Sequence, residues 1–337
     1  LCRSASGDSW LRGPEFAKNF TRSYKIISMG GESGIGLIGT ITYDVITSDE
    51  GEIFRGLGGI LYQAAALSAM KKSVFLFTHL GRDLADPVEK VAEGWHSLEQ
   101  TGLHIFAGPG NHVQLHYPKE GERREILESA VSPLNPHRIL QSMDRLQMLI
   151  AVLNSGFDIT LRDWRQIVGA ADCPIWLDIH SLVLSKELGV PRTYLANIPW
   201  EDWVKGVTYL QANRAELSCL IGHIGQDISG EEIKRFGEKA FHLGLEAVFI
   251  TLGKDGVWVL SPEDACFILP SRIDNIEDTT GCGDVFCAVT AMHLAEGQDP
   301  LSAAKTGVEF ATKATTVKGV EETYALLRRV VREIGDA

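Results

Sequence analysis

The sequence predicts an α/β fold: a doubly wound, mostly parallel sheet with helices on both faces, plus a small β lid. Three observations predict it. Short apolar runs alternate with helical stretches of roughly 10–16 residues along most of the chain. Several runs are apolar throughout, as strands covered on both faces are. One stretch, 112–127, breaks the pattern. There Val113, Leu115 and Tyr117 alternate with polar residues before the turn KEGE and a polar return strand. Such alternation suits a half-exposed hairpin.

Residues 1–24 are polar and aperiodic and are expected to form a tail, disordered or left over from expression, ahead of one domain over 25–334. They hold no continuous apolar stretch, so no secretory signal is expected. Residues 24–29 read as a strand, GGESGIG (30–36) as a turn and 37–47 as a second β-rich run. GLGG (56–59) leads into an alanine-rich helix over 60–72. A buried strand follows at 73–80, then a helix over 85–102 ended by Gly102. The hairpin over 112–127 suits a flap better than the core.

The alternation then becomes regular. Strands are expected at 148–154, 174–180, 206–213, 247–253 and 257–260. Helices are expected at 161–171, from Arg214, after a Ser229/Glu232 capping box, and at 283–297 and 301–316, with an amphipathic end from Glu321. No internal repeat or long linker divides the 337 residues, which fit one large domain.

Composition narrows the function. Thirty-two Lys and Arg stand against 44 Asp and Glu, a net charge of −12. No basic field covers the chain, so nucleic acid and anionic membranes are not expected as partners. A small anion held by backbone amides remains compatible. No run of 18 apolar residues occurs, so no spanning helix is expected. Six cysteines show neither C-x-x-C nor zinc spacing. Thiols so scattered suit a reducing, cytoplasmic setting.

Four segments carry chemistry. IEDTTGCGDVFCAVTA (276–291) runs a polar turn into an apolar helix. Gly281, Cys282 and Gly283 leave backbone amides bare at a helix start, where donors and the macrodipole favour an anion. Asp284 beside them reads either as a helix cap or as a base for a hydroxyl attacking a phosphoryl group. In ITLGKDGVWVL (250–260), Thr251, Gly253 and Gly256 mark a tight turn, either plain or open to a nucleotide. In QANRAEL (211–217), Asn213 and Glu216 share a helical face, as a cap or as a pair holding Mg²⁺–phosphate through water. In IGTITYDV (38–45) with GLGG, Thr42, Asp44, Gly58 and Gly59 read as acceptor contacts or as an ordinary turn.

Together these segments resemble the PfkB (ribokinase-like) carbohydrate kinase family. DTTGCGD is similar to its D-T-x-G-A-G-D, TLGKDG to its T-x-G-x-x-G, NRAE to its N-x-x-E, and GTITYD with GG to its substrate segment. The order and spacing match over about residues 25–320. The resemblance implies an ATP-dependent, Mg²⁺-requiring kinase acting on a hydroxyl of a small sugar, polyol or nucleoside, a monomer or homodimer. It implies Asp284 as base and the amides of Gly281, Cys282 and Gly283 as the anion hole. Asn213, Glu216, Thr251, Gly253 and Gly256 would serve the nucleotide and its metal. Thr42, Asp44, Gly58, Gly59 and Gln63 would serve the acceptor. Asp278 and Thr280 would lie at a monovalent cation site, such as one for K⁺. Lid segments are implied at about 41–57 and 108–128.

Four departures stand out. Cys282 replaces an alanine and must point away from the anion. Gln63 stands where the family often has Asn. Only 13 residues separate Asp44 from Gly58, a short lid segment for a lid-swapped dimer. DIHSL (178–182) lacks the arginine of D-x-N-x-R, so a phosphorylated sugar is not the expected acceptor, although Arg124 or Arg192 could substitute. His79, His104, His112, His116 and His180 show no metal spacing, Trp200 and Trp203 read as packing, and 328–333 reads as a solvated helix face.

Two rivals compete. A short-chain dehydrogenase would use GGESGIG as its dinucleotide loop, but such a loop opens a helix, and β-branched residues follow here. No tyrosine has a lysine four residues later. A non-catalytic binding protein of the same fold would have little reason to carry Asp284 directly after Gly281 and Gly283.

Overall fold

The computed structural model describes residues 33–119 and 123–335. The expected tail and strand at 24–29 lie outside these residues, as does most of the KEGE turn. The described chain opens with β1 (Gly34–Ile38), β2 (Ile41–Ser48), β3 (Gly51–Gly59), α1 (Leu61–Ala69), β4 (Val74–Gly81), α2 (Arg82–Val91) and β5 (Leu98–Phe106). It continues through β6 (Asn111–Tyr117), β7 (Arg124–Ser129), α3 (His137–Ser142), β8 (Leu146–Val152), α4 (Leu161–Ala170), β9 (Ile175–Asp178), α5 (Glu201–Val204) and β10 (Tyr209–Asn213). The remainder is α6 (Arg214–Leu220), α7 (Gly230–His242), β11 (Ala247–Thr251), β12 (Val257–Leu260), β13 (Ala265–Ile268), α8 (Cys282–Ala295), α9 (Pro300–Ala314) and α10 (Gly319–Gly335).

Nine strands form the main sheet in the order β13-β12-β11-β10-β9-β8-β1-β4-β5. Pairing is parallel from β5 to β11, and β12 and β13 close the edge antiparallel. The fully apolar runs are the central strands. In β8, Met148, Ile150 and Val152 enter the core beneath α1, α8, α9 and α10, while Leu149 and Ala151 enter the core beneath α3–α7. That two-residue alternation between two apolar cores is why this strand shows no polar face.

A second, four-stranded sheet has the order β3-β2-β6-β7. Its core is Ile46, Val113, Leu115 and Leu127. Four such side chains contribute roughly 1.5–3 kcal/mol each at most. That is too little to order four strands alone, so this sheet leans on the main body. The lean is visible at β7. Arg192 N donates to Glu125 O at 2.8 Å, Gly189 N donates to Leu127 O at 3.0 Å, and Ile126 bridges Pro191.

Two expectations need correction. The helix over 85–102 ends at Val91, and 98–106 is edge strand β5, parallel to β4. Gly94, at φ 77°, turns the chain between them, rather than Gly102. Residues 34–36 of GGESGIG are strand, not turn. Their glycines make room: a Cβ on Gly34 would stand 2.2 Å from the Ser73 carbonyl oxygen, and one on Gly36 would stand 2.9 Å from Leu149 Cδ1. A strand there also removes the dinucleotide loop that a dehydrogenase reading needs. Trp200 and Trp203 are buried in the core, as packing predicts. No helix among the described residues is long and apolar enough to cross a membrane.

Candidate active site

The predicted residues come from the carboxyl ends of the central strands and from the small sheet beside them. This is where open α/β sheets bind ligands. Asp44 and Thr42 lie on β2, with Thr42 paired to Gly58 across β3. The Asp44 carboxylate lies over Gly58, where an added Cβ would fall 2.1 Å from Oδ2. Gly59, at φ 63°, turns the chain into α1, and a Cβ there would meet the Thr40 carbonyl oxygen at 2.2 Å. Asn154 clamps that corner, accepting from Thr40 N at 2.9 Å and donating to Thr40 O at 2.8 Å. Burial pushes Asp44 up to about 7, against the pull of its hydrogen bond from Thr42.

Opposite Asp44 is the start of α8. Gly281 is the N-cap, left-handed at φ 79°, and no side chain caps this end. The leading amides therefore await an acceptor from outside the helix. Cys282 N also leans back to Thr279 O at 3.3 Å, a long bond that a better acceptor would displace. The Cys282 side chain packs on the core, away from the amides, and burial raises its thiol to about 12. Gly283 is exposed and Asp284 half-buried, so the turn faces open space. Burial raises Asp284 to about 7, opposed by a hydrogen bond from Gln63 and reinforced by Asp44.

Asn213 and Glu216 form a complete capping box at α6. Asn213 Oδ1 accepts from Glu216 N at 2.9 Å, and Asn213 N and Nδ2 each donate to Glu216 at 2.7 Å. Both carboxylate oxygens thus carry a protein donor, which leaves room for water-mediated contact with a metal rather than direct ligation. Burial lifts Glu216 to about 7. Asn213 is paired with Thr251 across β10 and β11, so the two motifs meet at one sheet edge. Beyond Thr251, Leu252 N donates to Gly256 O at 2.8 Å, and Gly253 and Gly256 take φ 58° and 122°. Arg214 ties the turn to α6 through Asp255 at 2.8 Å.

Asp278 Oδ1 accepts from Thr280 N at 2.9 Å, while its buried Oδ2 has no partner among the described residues. An orphaned carboxylate oxygen fits a cation. Among the described residues, no group of three or more His, Cys, Asp or Glu could hold a metal by itself. The Tyr117 hydroxyl, at the end of β6, lies 3.3 Å from Thr280 Oγ1, so the small sheet reaches the anion turn.

Several residues here escaped sequence reasoning. Arg123, ion-paired with Glu125 at 3.3 Å, holds Asp44, Glu216 and Asp284 below where burial alone would put them. Arg192 is buried and fully engaged, with Glu125 at 2.8 Å, Ser181 Oγ at 3.1 Å and the carbonyls of Ser155 and Ser185. It therefore braces the small sheet and offers no free donor to an acceptor. Arg124 is exposed on β7, and Leu182 of DIHSL belongs to the core. His180, at φ 37°, is held down to about 4, with burial as the main cause.

A cavity of about 410 Å³ opens between β13, the loop after it and α9, lined by Ile268, Leu269, Ile273, Val308 and Thr312 among others. It adjoins the glycine turn, because a Cβ on Gly256 would meet Ile268 O at 2.3 Å. A larger groove of about 630 Å³ lies elsewhere, beside Trp200 and α7. Its Lys239 and His223 already pair with Glu201 and Glu232.

A doubly wound sheet with an uncapped glycine turn at a helix start and a small sheet folded over it defines the ribokinase-like class. Solved structures agree on the fold. Ribokinase from Thermotoga maritima superposes with a TM-score of 0.69 at 18% identity, covering 89% of this chain and 99% of that one. Arabidopsis thaliana ribokinase, complexed with ribose and ATP, gives 0.68 at 18% over 90% and 99%. A pyrophosphate-dependent kinase in the ribokinase family, complexed with a pyrophosphate analog and myo-inositol, gives 0.72 at 14% over 89% and 99%.

The model of the pfkB family carbohydrate kinases matches residues 191–325, the part holding three of the four motifs. The resemblance read from those motifs is borne out. Among curated proteins, the bifunctional protein HldE of Actinobacillus pleuropneumoniae is 33% identical over 116 residues, 34% of this chain and 24% of that protein. HldE of Alkalilimnicola ehrlichii is 31% identical over 137 residues, 40% of this chain and 25% of that protein. The aligned stretch spans about a quarter or less of these relatives.

Proposed function

We propose that the chain is an ATP-dependent kinase that phosphorylates a hydroxyl of a small sugar, polyol or nucleoside. The observation that carries this reading is Asp284. It is a half-buried carboxylate in the first turn of an uncapped helix, raised to about 7 and facing a second acid, Asp44. A base poised near neutrality beside an anion hole suits proton removal from an alcohol as a phosphoryl group arrives.

Asp44 and the bare backbone at Gly58 orient the acceptor. Asp284 takes the proton from its hydroxyl while the oxygen bonds to the γ-phosphorus and the β–γ bridging bond breaks. The amides at Gly281–Gly283 receive the charge on the transferred group. Glu216 and Asn213 steady the metal-bound phosphates through water. The turn at Thr251–Gly256 and the adjoining cavity take the nucleoside. Asp278 and Thr280 fit a monovalent cation. Mg²⁺ bound with ATP supplies charge neutralisation. The small sheet, through Tyr117, excludes water from the site.

Asp284→Asn tests the reading. Turnover in a coupled ADP-release assay over sugars, inositols and nucleosides should fall about a thousandfold or more, with ATP affinity retained. A variant with near-normal kcat would overturn it.

A further inference from the structure

Gln63 is fully buried on the first turn of α1, and its Nε2 donates to Asp284 Oδ1 at 2.5 Å across 221 residues of chain. Its own Oε1 is buried without a partner among the described residues. A buried carbonyl left unpaired costs about 1–3 kcal/mol. The side chain is therefore a poor choice for stability alone, since an apolar residue of the same length would fill the space without that cost. Its neighbour Tyr62 packs against Gly281, where an added Cβ would lie 2.4 Å from the ring. The start of α1 thus presses on the start of α8 at two consecutive positions. The turn into α1 is Gly59, the last residue of lid strand β3.

We propose that Gln63 is a positioning residue: its amide holds the Asp284 carboxylate in the orientation needed to take the acceptor proton, rather than contacting the acceptor itself. This rests on Asp284 being the base. Reach matters, because Asn at this position is one methylene shorter and would leave the carboxylate unheld. The hydrogen bond also favours the ionised carboxylate, so its loss should move the base's titration upward.

The test compares Gln63→Met, Gln63→Asn and Gln63→Glu with wild type by kcat, KM for ATP, pH profile and thermal melting. Gln63→Met keeps length and removes both the unpaired carbonyl and the hydrogen bond to Asp284, two terms that nearly cancel, so its melting temperature should stay within a few degrees of wild type. Its kcat should fall roughly ten- to hundredfold, with the acid limb displaced to higher pH and KM for ATP within about twofold. Gln63→Asn should follow Gln63→Met, and Gln63→Glu should displace the limb further by repulsion between carboxylates. An unmoved limb with only the acceptor KM raised would overturn the assignment and make Gln63 an acceptor contact. A fall in kcat matched by a fall in melting temperature, with the limb unmoved, would overturn it in favour of a packing role. Asp284→Asn separates the two levels. If it retains turnover with the wild-type limb, the base reading fails; if it abolishes turnover while Gln63→Met leaves the limb in place, only the positioning role fails.

Discussion

Gly281 and Gly283 stand two residues apart at one helix start, yet an added methyl would act on them differently. At Gly281 the backbone is left-handed at φ 79° and the methyl would strike the Tyr62 ring. At Gly283 the nearest atom is Gln211 Nε2 at 3.8 Å. Gly281→Ala should therefore lower the melting temperature and abolish turnover. Gly283→Ala should fold normally and lose activity only by crowding the anion, which melting and kinetics together would show. Asp44 gives a second residue-scale prediction. Its folded pKa, about 7, lies above the ordinary carboxylate value, so the folded state holds a proton that the unfolded chain has released. The stability this contributes is complete below about pH 4 and is lost as pH rises through about 7, on the order of a few kcal/mol. Asp44→Asn should melt several degrees above wild type at pH 8 and close to it at pH 4. Asp284 and Asp44 were legible because their motifs are local. Asn154 drew no reading, and Gln63 and Arg192 were read as acceptor contacts rather than by the bonds they make, because their partners lie 114, 221 and 67 residues away.

At the scale of elements, the reading succeeded where a segment's own pattern decides its state. The helix after Gly281 and the Ser229/Glu232 capping box are of this kind. It failed where a neighbour decides. Residues 98–106 are polar and half-exposed, and only pairing with β4 makes them a strand. The glycines of β1 resemble a turn until the side chains crossing them are known. The hairpin at β6–β7 was legible from alternation, but its parallel seat beside β2 was not. That seat depends on the Arg192–Glu125 pair, whose side chains are 1% and 9% exposed. Arg192→Ala removes the buried one of the two guanidinium partners of Glu125, leaving the longer Arg123 pair, and should cost about 1.5–3 kcal/mol, with amide exchange in β7 quickening first. Replacing both partners by methionine should recover most of that loss. Urea titration and hydrogen exchange would measure both.

Across the whole molecule, the sheet edge from β9 to β11 and the start of α8 frame one cleft with two ends. At the proposed acceptor end Asp44 raises Asp284 and Arg123 lowers both, so the two acids outnumber the one cation and a neutral polyhydroxyl compound suits the site better than an anion. The proposed donor end is the cavity beside the glycine turn, where apolar Phe267, Ile268, Leu269, Ile273 and Val308 face polar Lys305, Glu309 and Lys313. Leu269 is 62% exposed at the cavity beside the glycine turn, and Ile276 is 59% exposed on the loop leading to Gly281. Exposed aliphatic side chains cost little singly, but Leu269 beside a concave wall of Ile268, Ile273 and Val308 has a use if a nucleobase covers it. Inorganic pyrophosphate has no part that could. One ribokinase-fold structure of comparable similarity is described as pyrophosphate-dependent, so the fold alone leaves the donor open. On the proposed reading this cavity takes the nucleobase of a nucleoside triphosphate. Leu269→Asp should then raise KM for ATP about tenfold or more with little change in kcat, since it removes binding shared by ground and transition states. Pyrophosphate should support no turnover in either protein. Equal activity with pyrophosphate, unaffected by Leu269→Asp, would show that this wall serves something other than the donor.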